Sequence, residues 1–281
     1  MSPISSTTRV LALLGDPISH SLSPIIQNAA CAAAEVDGVY VAMRCDHDRL
    51  PALMEALAHG GGGGNVTLPH KERAAAVVKN PSEAVRRTGA CNTFWREGGQ
   101  IRGDNTDVEG FRRALERFLG RPPRDHRVLV LGAGGAARAV LLALLDEGVK
   151  DITLYNRTVE RARAVSRRIG GERVRVVNPV EELNGGQFDL VVNSTRLGLD
   201  PSDPLPLDLP RLERVGAVMD LVYGDTPTRF VQEARAFGVP ATDGGEMLVQ
   251  QGAVSFERWW GREAPLDAMR AALEARRGTV G

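Results

Sequence analysis

The chain has 281 residues, 43% of them hydrophobic and 25% charged, and its 35 basic and 35 acidic side chains cancel to a formal net charge of zero. That length supplies core for one large or two ordinary domains, and the balanced charge gives no global field to draw nucleic acid or an anionic membrane. Cys31, Cys45 and Cys91 are odd in number and widely spaced, so neither a disulfide framework nor a metal site is expected, and a cytoplasmic location is.

Val10-Leu-Ala-Leu-Leu14 is too short for the apolar segment of a signal peptide. Ended by Gly15-Asp16-Pro17, it reads as a buried strand. Ser23-Pro24 then opens an Ala-rich helix, with Ser as N-cap and Pro at the first helical position. Gly38–Met43 reads as a second strand and Leu50–His59 as a second helix; Asn65–Leu68 and Glu72–Val78 repeat the pair. Strand alternating with helix predicts parallel βαβ units. Gly89–Thr93 and Gly103–Asp107 read as polar loops. A helix follows Asp107, and the turn-rich stretch Arg121-Pro-Pro-Arg-Asp125 follows the helix.

Strands are next expected at Arg127–Leu131, Asp151–Tyr155, Arg173–Val177, Asp189–Asn193 and Ala217–Leu221. This is the rhythm of a doubly wound nucleotide-binding domain. Ala136–Leu145 is the most apolar helix, yet it carries Arg138 and ends at Asp146-Glu147, well short of a membrane span. Glu246–Arg277 is helical with no further strand. The expected architecture is therefore α/β with two α/β domains. The first is residues 1–107, completed by C-terminal helices 245–281 that pack back on it; the second is the doubly wound domain 108–244.

Val128-Leu-Val-Leu131 runs into Gly132-Ala133-Gly134-Gly135-Ala136-Ala137-Arg138 and then an apolar helix. Strand, glycine turn and helix fit G-x-G-x-x-A: Gly132 allows the tight turn, Gly134 lets backbone approach a pyrophosphate, and Ala137 permits close packing. The helix N-terminus offers unpaired N–H groups to phosphates. An NAD site usually places an acid at the end of the next strand, roughly 20 residues on, for the ribose hydroxyls. Here that strand ends in Asn156-Arg157-Thr158, and Asp151 lies at its other end. Arg157, Thr158 and Arg161 suit a 2′-phosphate instead, so NADP is the expected cofactor. Read structurally, Arg157 only begins a surface helix capped by Thr158.

Lys71 is one of three lysines among the 35 basic residues. A lysine can give up its proton where an arginine cannot, so its place at the end of Asn65-Val-Thr-Leu-Pro-His-Lys71 marks a candidate titratable amine. Ser21 and Ser23 stand one residue apart before a helix; in an extended segment both face one side and cradle a carboxylate. Asn92 and Asp107 add an amide and a carboxylate, whereas Asp104 and Asn105 read as turn chemistry. Gln251 lies in an apolar helix, where an inward-facing amide needs a partner.

Gly15–Pro24, Asn65–Lys71, Gly89–Thr93, Gly103–Asp107, Gly132–Arg138, Asn156–Thr158, Asp220–Tyr223 and Met247–Gly252, in this order, resemble the shikimate dehydrogenase family over almost the whole chain. The resemblance implies a substrate-binding domain followed by a Rossmann-type NADP-binding domain. It also implies reduction of 3-dehydroshikimate to shikimate by NADPH, on the way to chorismate and the aromatic amino acids. Ser21 and Ser23 would hold the substrate carboxylate with Tyr223, and Thr67, Asn92 and Gln251 would bond ring hydroxyls. Lys71 and Asp107 would form the catalytic pair at the C3 oxygen. Gly132, Ala133, Gly134, Gly135 and Ala136 would bind NADPH with Asn156, Arg157, Thr158 and Arg161. A small-molecule substrate is implied, with no nucleic acid or membrane partner, in a monomer or homodimer. Two features depart from the family pattern: the glycine run Gly60–Gly64, expected to be a mobile loop, and Arg196, either beside the nicotinamide or facing solvent. The competing readings are a quinate/shikimate dehydrogenase of relaxed specificity and a non-catalytic nucleotide-binding paralogue, which would be expected to lose Lys71 or Asp107.

Overall fold

The computed structural model of the chain describes residues 4–278. The chain folds as two compact units: residues up to Gly110 together with those from Leu248 onward, and Phe111–Met247 between them.

In the first unit, the strands are β1 (Arg9–Gly15), β2 (Gly38–Arg44), β3 (Gly63–Val66), β4 (Asn80–Pro81), β5 (Thr93–Glu97) and β6 (Gln100–Asp104). Its helices are α1 (Ser23–Ala33), α2 (Leu50–His59), α3 (Lys71–Val77), α4 (Glu83–Thr88) and the start of α5 (Thr106–Leu119). The sheet order is β2-β1-β3-β5-β6-β4. From Leu11 to Leu14 β1 is apolar because both its faces are covered there. Ala12 and Leu14 join Met54, Ala74 and Phe94 in one core, while Leu11 and Leu13 meet Tyr40 and Trp259 in another, as alternation along a strand requires.

Two expectations for this unit need correction. The sheet is mixed: β5 and β6 form a hairpin that pairs antiparallel with β3, so the stretch after Asn92 is strand rather than loop. Its turn is Gly98-Gly99, with φ of +59° and +81°, the backbone sign that two-residue hairpins require. The glycine run is a loop only at its start, since Gly60 and Gly61 turn out of α2 and the rest runs into sheet. Gly63 and Gly64 open β3, which ends at Val66 rather than Leu68. A Cβ at Gly62 or Gly64 would collide with the carbonyl oxygen of Val10 or Ala12, and one at Gly63 with that of Phe94. Glycine is needed there because neighbouring backbone fills the space.

The second unit holds β7 (Arg127–Leu131), α6 (Gly135–Asp146), β8 (Asp151–Tyr155), α7 (Val159–Ile169), β9 (Val174–Val177), β10 (Gln187–Phe188), β11 (Leu190–Asn193), β12 (Arg214–Val215), β13 (Val218–Asp220), α8 (Arg229–Ala236) and β14 (Ala241–Thr242). Apart from the short β10–β12 pair, its strands form one parallel sheet in the order β14-β13-β11-β7-β8-β9. Counted from β7, that is the 3-2-1-4-5-6 order of doubly wound dinucleotide-binding sheets, with the switch point between β7 and β11. Two long helices complete the chain, α9 (Gly245–Trp260) and α10 (Leu266–Gly278), the latter packed on α1. Among the described residues no helix is long and apolar enough to cross a membrane, and no cluster of three His, Cys, Asp or Glu could hold a metal ion.

Candidate active site

Lys71 is the first residue of α3 and Asp107 lies in the first turn of α5. Their side chains meet: Lys71 Nζ donates to Asp107 Oδ2 at 2.5 Å, with the lysine side chain 20% and the aspartate side chain 8% exposed. The other carboxylate oxygen, Oδ1, accepts from Asn92 Nδ2 at 2.9 Å. Backbone bonds set the three residues in register. Cys91 N–H donates to the Lys71 carbonyl, Asn92 N–H to the Asp104 carbonyl, and Val66 N–H to the Asn92 carbonyl. His70, just before the lysine, is buried, and its Nε2 lies 2.9 Å from the Cys45 carbonyl. Since a carbonyl only accepts, the imidazole proton sits on Nε2 and the ring ties the α3 N-terminus to the end of β2.

Asn92, expected to face a ring hydroxyl, has its amide engaged within the protein. Its Oδ1 accepts from Thr106 N–H at 2.8 Å, and its Nδ2 bonds Asp107 and Thr106 Oγ1. Ser21 and Ser23 stand at the start of α1, where the local geometry differs from the expected extended segment. Leu22, between them, is helical in φ and ψ and is itself the N-cap; Ser23 is the first helical residue and makes no capping bond. Ser21 Oγ instead accepts from Ser23 N–H at 3.3 Å. Thr67, just past β3, turns its methyl toward Gly15. Gln251, in α9, donates to the Leu248 carbonyl at 2.8 Å. All of these belong to the first unit, whereas Tyr223 follows β13 in the second. Asp104 exceeds its expected turn role: it accepts from Ser82 Oγ and from Arg258 Nε, which bridges from α9.

Sequence reasoning missed Thr93 and Thr106, which bond Asn92, and Ser255, which bonds both of them. Ser255 was detectable: a hydroxyl in the middle of an apolar helix requires a partner once buried.

In the second unit, Gly132 ends β7 with φ of +109°, and a Cβ there would stand 2.9 Å from Ser194 Oγ. Gly134 caps α6 without a side-chain bond, and the space above it is open. Room for a pyrophosphate therefore lies directly against unpaired helix N–H groups. Ala133 lies within the turn and Gly135 and Ala136 open α6, all three half-buried. At the end of β8, Asn156 Nδ2 donates to the Thr158 carbonyl, and Arg157 and Arg161 extend into solvent. Arg196 is exposed as well. The neighbouring strand ends are tied together by Asp220, which is fully buried. Its carboxylate accepts from Asn193 Nδ2, Val222 N–H and Thr228 Oγ1 at 2.8, 3.0 and 2.6 Å. Burial pushes this carboxyl up to about 6 despite those three donors. Cys31 and Cys91 are likewise pushed up by burial, to about 11 and about 12, which makes them packing groups rather than nucleophiles.

Fold and site together define a class: a two-unit α/β oxidoreductase with a dinucleotide-binding sheet and a lysine–aspartate pair. Family comparison narrows it. Residues 13–94 match the shikimate dehydrogenase substrate binding domain, residues 116–197 the shikimate / quinate 5-dehydrogenase family, and residues 244–274 the shikimate 5'-dehydrogenase C-terminal domain. The shikimate dehydrogenase (NADP(+)) of Geobacter sulfurreducens is 38% identical over 281 residues, covering 97% of this chain and 98% of that protein. The crystal structure of shikimate dehydrogenase from Aquifex aeolicus superposes with a TM-score of 0.88 at 33% identity, covering 96% of this chain and 99% of that one. The shikimate 5-dehydrogenase of Thermus thermophilus, solved in complex with NADP(H) and shikimate, gives 0.85 at 38% identity over 95% and 99%. The chain belongs to the shikimate dehydrogenase family.

Proposed function

We propose that this protein is an NADP-dependent shikimate dehydrogenase, reversibly reducing 3-dehydroshikimate to shikimate in the supply of chorismate and the aromatic amino acids. The observation that carries the reading is the Lys71–Asp107 pair, set within a chain that is alike in sequence to shikimate dehydrogenases over nearly its whole length. Reduction of a ketone places negative charge on oxygen, and that oxygen then needs a proton. The Lys71 ammonium meets both needs: it donates a hydrogen bond to the carbonyl oxygen and then passes it a proton, while Asp107 holds the amine in place. In the direction of oxidation the neutral amine takes the hydroxyl proton back. Ser21 and Ser23 bind the substrate carboxylate with Tyr223, Thr67 and Gln251 bond ring hydroxyls, and Asn92 serves the same ring through its contact with Asp107.

Bound NADPH supplies the hydride. The turn Gly132–Ala136 cradles its pyrophosphate, and Asn156, Arg157, Thr158 and Arg161 hold the 2′-phosphate, since the strand end carries no acid to repel it. The substrate domain comprises residues 1–107 with the C-terminal helices 245–281, and the NADP domain residues 108–244. The three cysteines are free and buried, which suits a cytoplasmic enzyme acting on a small molecule as a monomer or homodimer.

The test is absorbance at about 340 nm, where reduced nicotinamide absorbs, with shikimate or quinate and NADP or NAD. Shikimate with NADP is expected to give the highest kcat/KM, and faster turnover of quinate or with NAD would revise substrate or cofactor. Arg157→Ala should weaken NADPH binding far more than NADH binding. Equal losses for the two would remove the 2′-phosphate assignment.

A further inference from the structure

Behind the Lys71–Asp107 pair lies a buried polar network that the reaction chemistry does not itself require. Three hydroxyls sit within bonding distance of one another: Thr93 to Ser255 at 2.9 Å, Thr106 to Ser255 at 3.0 Å and Thr93 to Thr106 at 3.1 Å. All three residues are at most 1% exposed. They come from β5, from the first residue of α5 and from the middle of α9.

The protons in this network run in one direction. Asn92 cannot turn over, because its Oδ1 faces the backbone N–H of Thr106 at 2.8 Å and a flipped amide would set donor against donor. Its Nδ2 therefore donates to Asp107 Oδ1 at 2.9 Å and to Thr106 Oγ1 at 3.0 Å. Asn65 is fixed in the same way: its Nδ2 faces the Asn92 carbonyl at 3.0 Å, and its Oδ1 accepts from the Tyr40 hydroxyl at 2.8 Å. One N–H goes to that carbonyl, and the other points between the Thr93 and Ser255 oxygens, 2.8 and 2.9 Å from the nitrogen. A carbonyl only accepts, so Ser255 sends its single proton to the Gln251 carbonyl at 2.9 Å, while Thr93 sends its own to Asn92 Oδ1 at 3.0 Å. Asn92 Oδ1 already accepts from Thr106 N–H and Thr93 Oγ1, so the Thr106 proton goes to Ser255, its nearest acceptor at 3.0 Å, and leaves a Thr106 lone pair facing Asn92 Nδ2.

We propose that Ser255, through the Thr106 hydroxyl, is a positioning residue for the catalytic pair: it orients the Asn92 amide that clamps Asp107 under Lys71. Without the Ser255 oxygen the Thr106 proton is shared between Asn92 Oδ1 and Thr93 Oγ1, each 3.1 Å away, and whenever it turns to Oδ1 its lone pair leaves Nδ2. The clamp on Asp107 loosens although no group that touches substrate has changed. The inference rests on the functional reading above.

Ser255→Ala removes one oxygen and substitutes a strong helix former. Thr106→Val removes the second hydroxyl while keeping its shape, and Thr106→Ser restores the hydroxyl. Shikimate oxidation with NADP is measured for each across pH, together with shikimate affinity by calorimetry and melting temperature. Ser255→Ala and Thr106→Val should each lower kcat by about tenfold, the scale of one hydrogen bond, with shikimate Kd within about twofold of wild type. Their kcat–pH midpoints should move, while Thr106→Ser stays near wild type in both. Lower melting temperatures with kcat and pH midpoint unchanged in both variants would overturn this inference alone. A wild-type chain inactive on shikimate, or Lys71→Ala as active as wild type, would instead overturn the functional reading and this inference with it.

Discussion

A lysine is required at position 71 because its work is to give up a proton and recover it, which a guanidinium does not do. Lys71→Ala should lower kcat by about 10²–10⁴-fold, the range for a lost general acid, with shikimate still bound by calorimetry, and Lys71→Arg should rescue little. Turnover near wild type in either variant would contradict the role. Asp220 makes a separate, pH-dependent prediction. Its native carboxyl titrates at about 6 rather than at the ordinary 3.8, chiefly through burial. Between those values the unfolded chain is ionised while the native state keeps its proton, so the native state binds more protons and stability falls as pH rises. The contribution is whole below about 3.8 and gone above about 6. Asp220→Asn removes the titration and still accepts from Asn193 and Val222. The stability of wild type relative to Asp220→Asn should therefore fall by up to about 3 kcal/mol from about pH 4 to about pH 7 in urea unfolding. A difference independent of pH would refute it.

At the scale of elements, legibility followed the hydrophobic period. β7, β8 and α2 run between the residues expected of them, Arg127–Leu131, Asp151–Tyr155 and Leu50–His59, because an apolar run between breakers leaves one solution. The hairpin β5–β6 was hidden beneath its polar ends: Asn92 and Asp107 look like turn residues until the β-favouring Thr93-Phe-Trp95 and the Gly98-Gly99 turn are read together. The glycine run misled for a complementary reason. Glycine marks flexible loops in isolated sequence, but here it marks the absence of space, which only the neighbouring strands reveal. Lys71 and Asp107 stood out as residue types; that Asn92 bonds Asp107, and that Ser255 lies behind both, depends on long-range packing. Gly64→Ala should cost about 1–3 kcal/mol through the collision with the Ala12 carbonyl. Gly60→Ala, whose Cβ would meet nothing nearer than 3.5 Å, should stay within about 0.5 kcal/mol. Comparable melting temperatures for the two variants would refute the close-approach account.

For the whole molecule, chain order and structural unit do not coincide. The segment Phe111–Met247 is continuous and owns every strand of its parallel sheet. The first unit is made from both ends of the chain, and the late helices fill its interior. Trp259 stacks near Tyr40 with ring centroids 5.9 Å apart and donates Nε1–H to the Phe94 carbonyl. Ser255 enters the hydroxyl triangle, and Gln27 reaches the Gly252 carbonyl at 2.9 Å. Met269, fully buried, comes from α10. A fragment ending at Gly110 would thus expose one apolar face of its sheet and leave the buried hydroxyls of Thr93 and Thr106 without their Ser255 partner. Expressed alone, residues 111–247 should unfold cooperatively, with a melting temperature that rises on adding NADP, since a ligand that binds only the native state stabilises it. Residues 1–110 alone should show no cooperative transition, and one should return when residues 248–281 are co-expressed with them. Cooperative unfolding of 1–110 by itself, or none for 111–247, would show that the late helices decorate the first unit rather than complete its core.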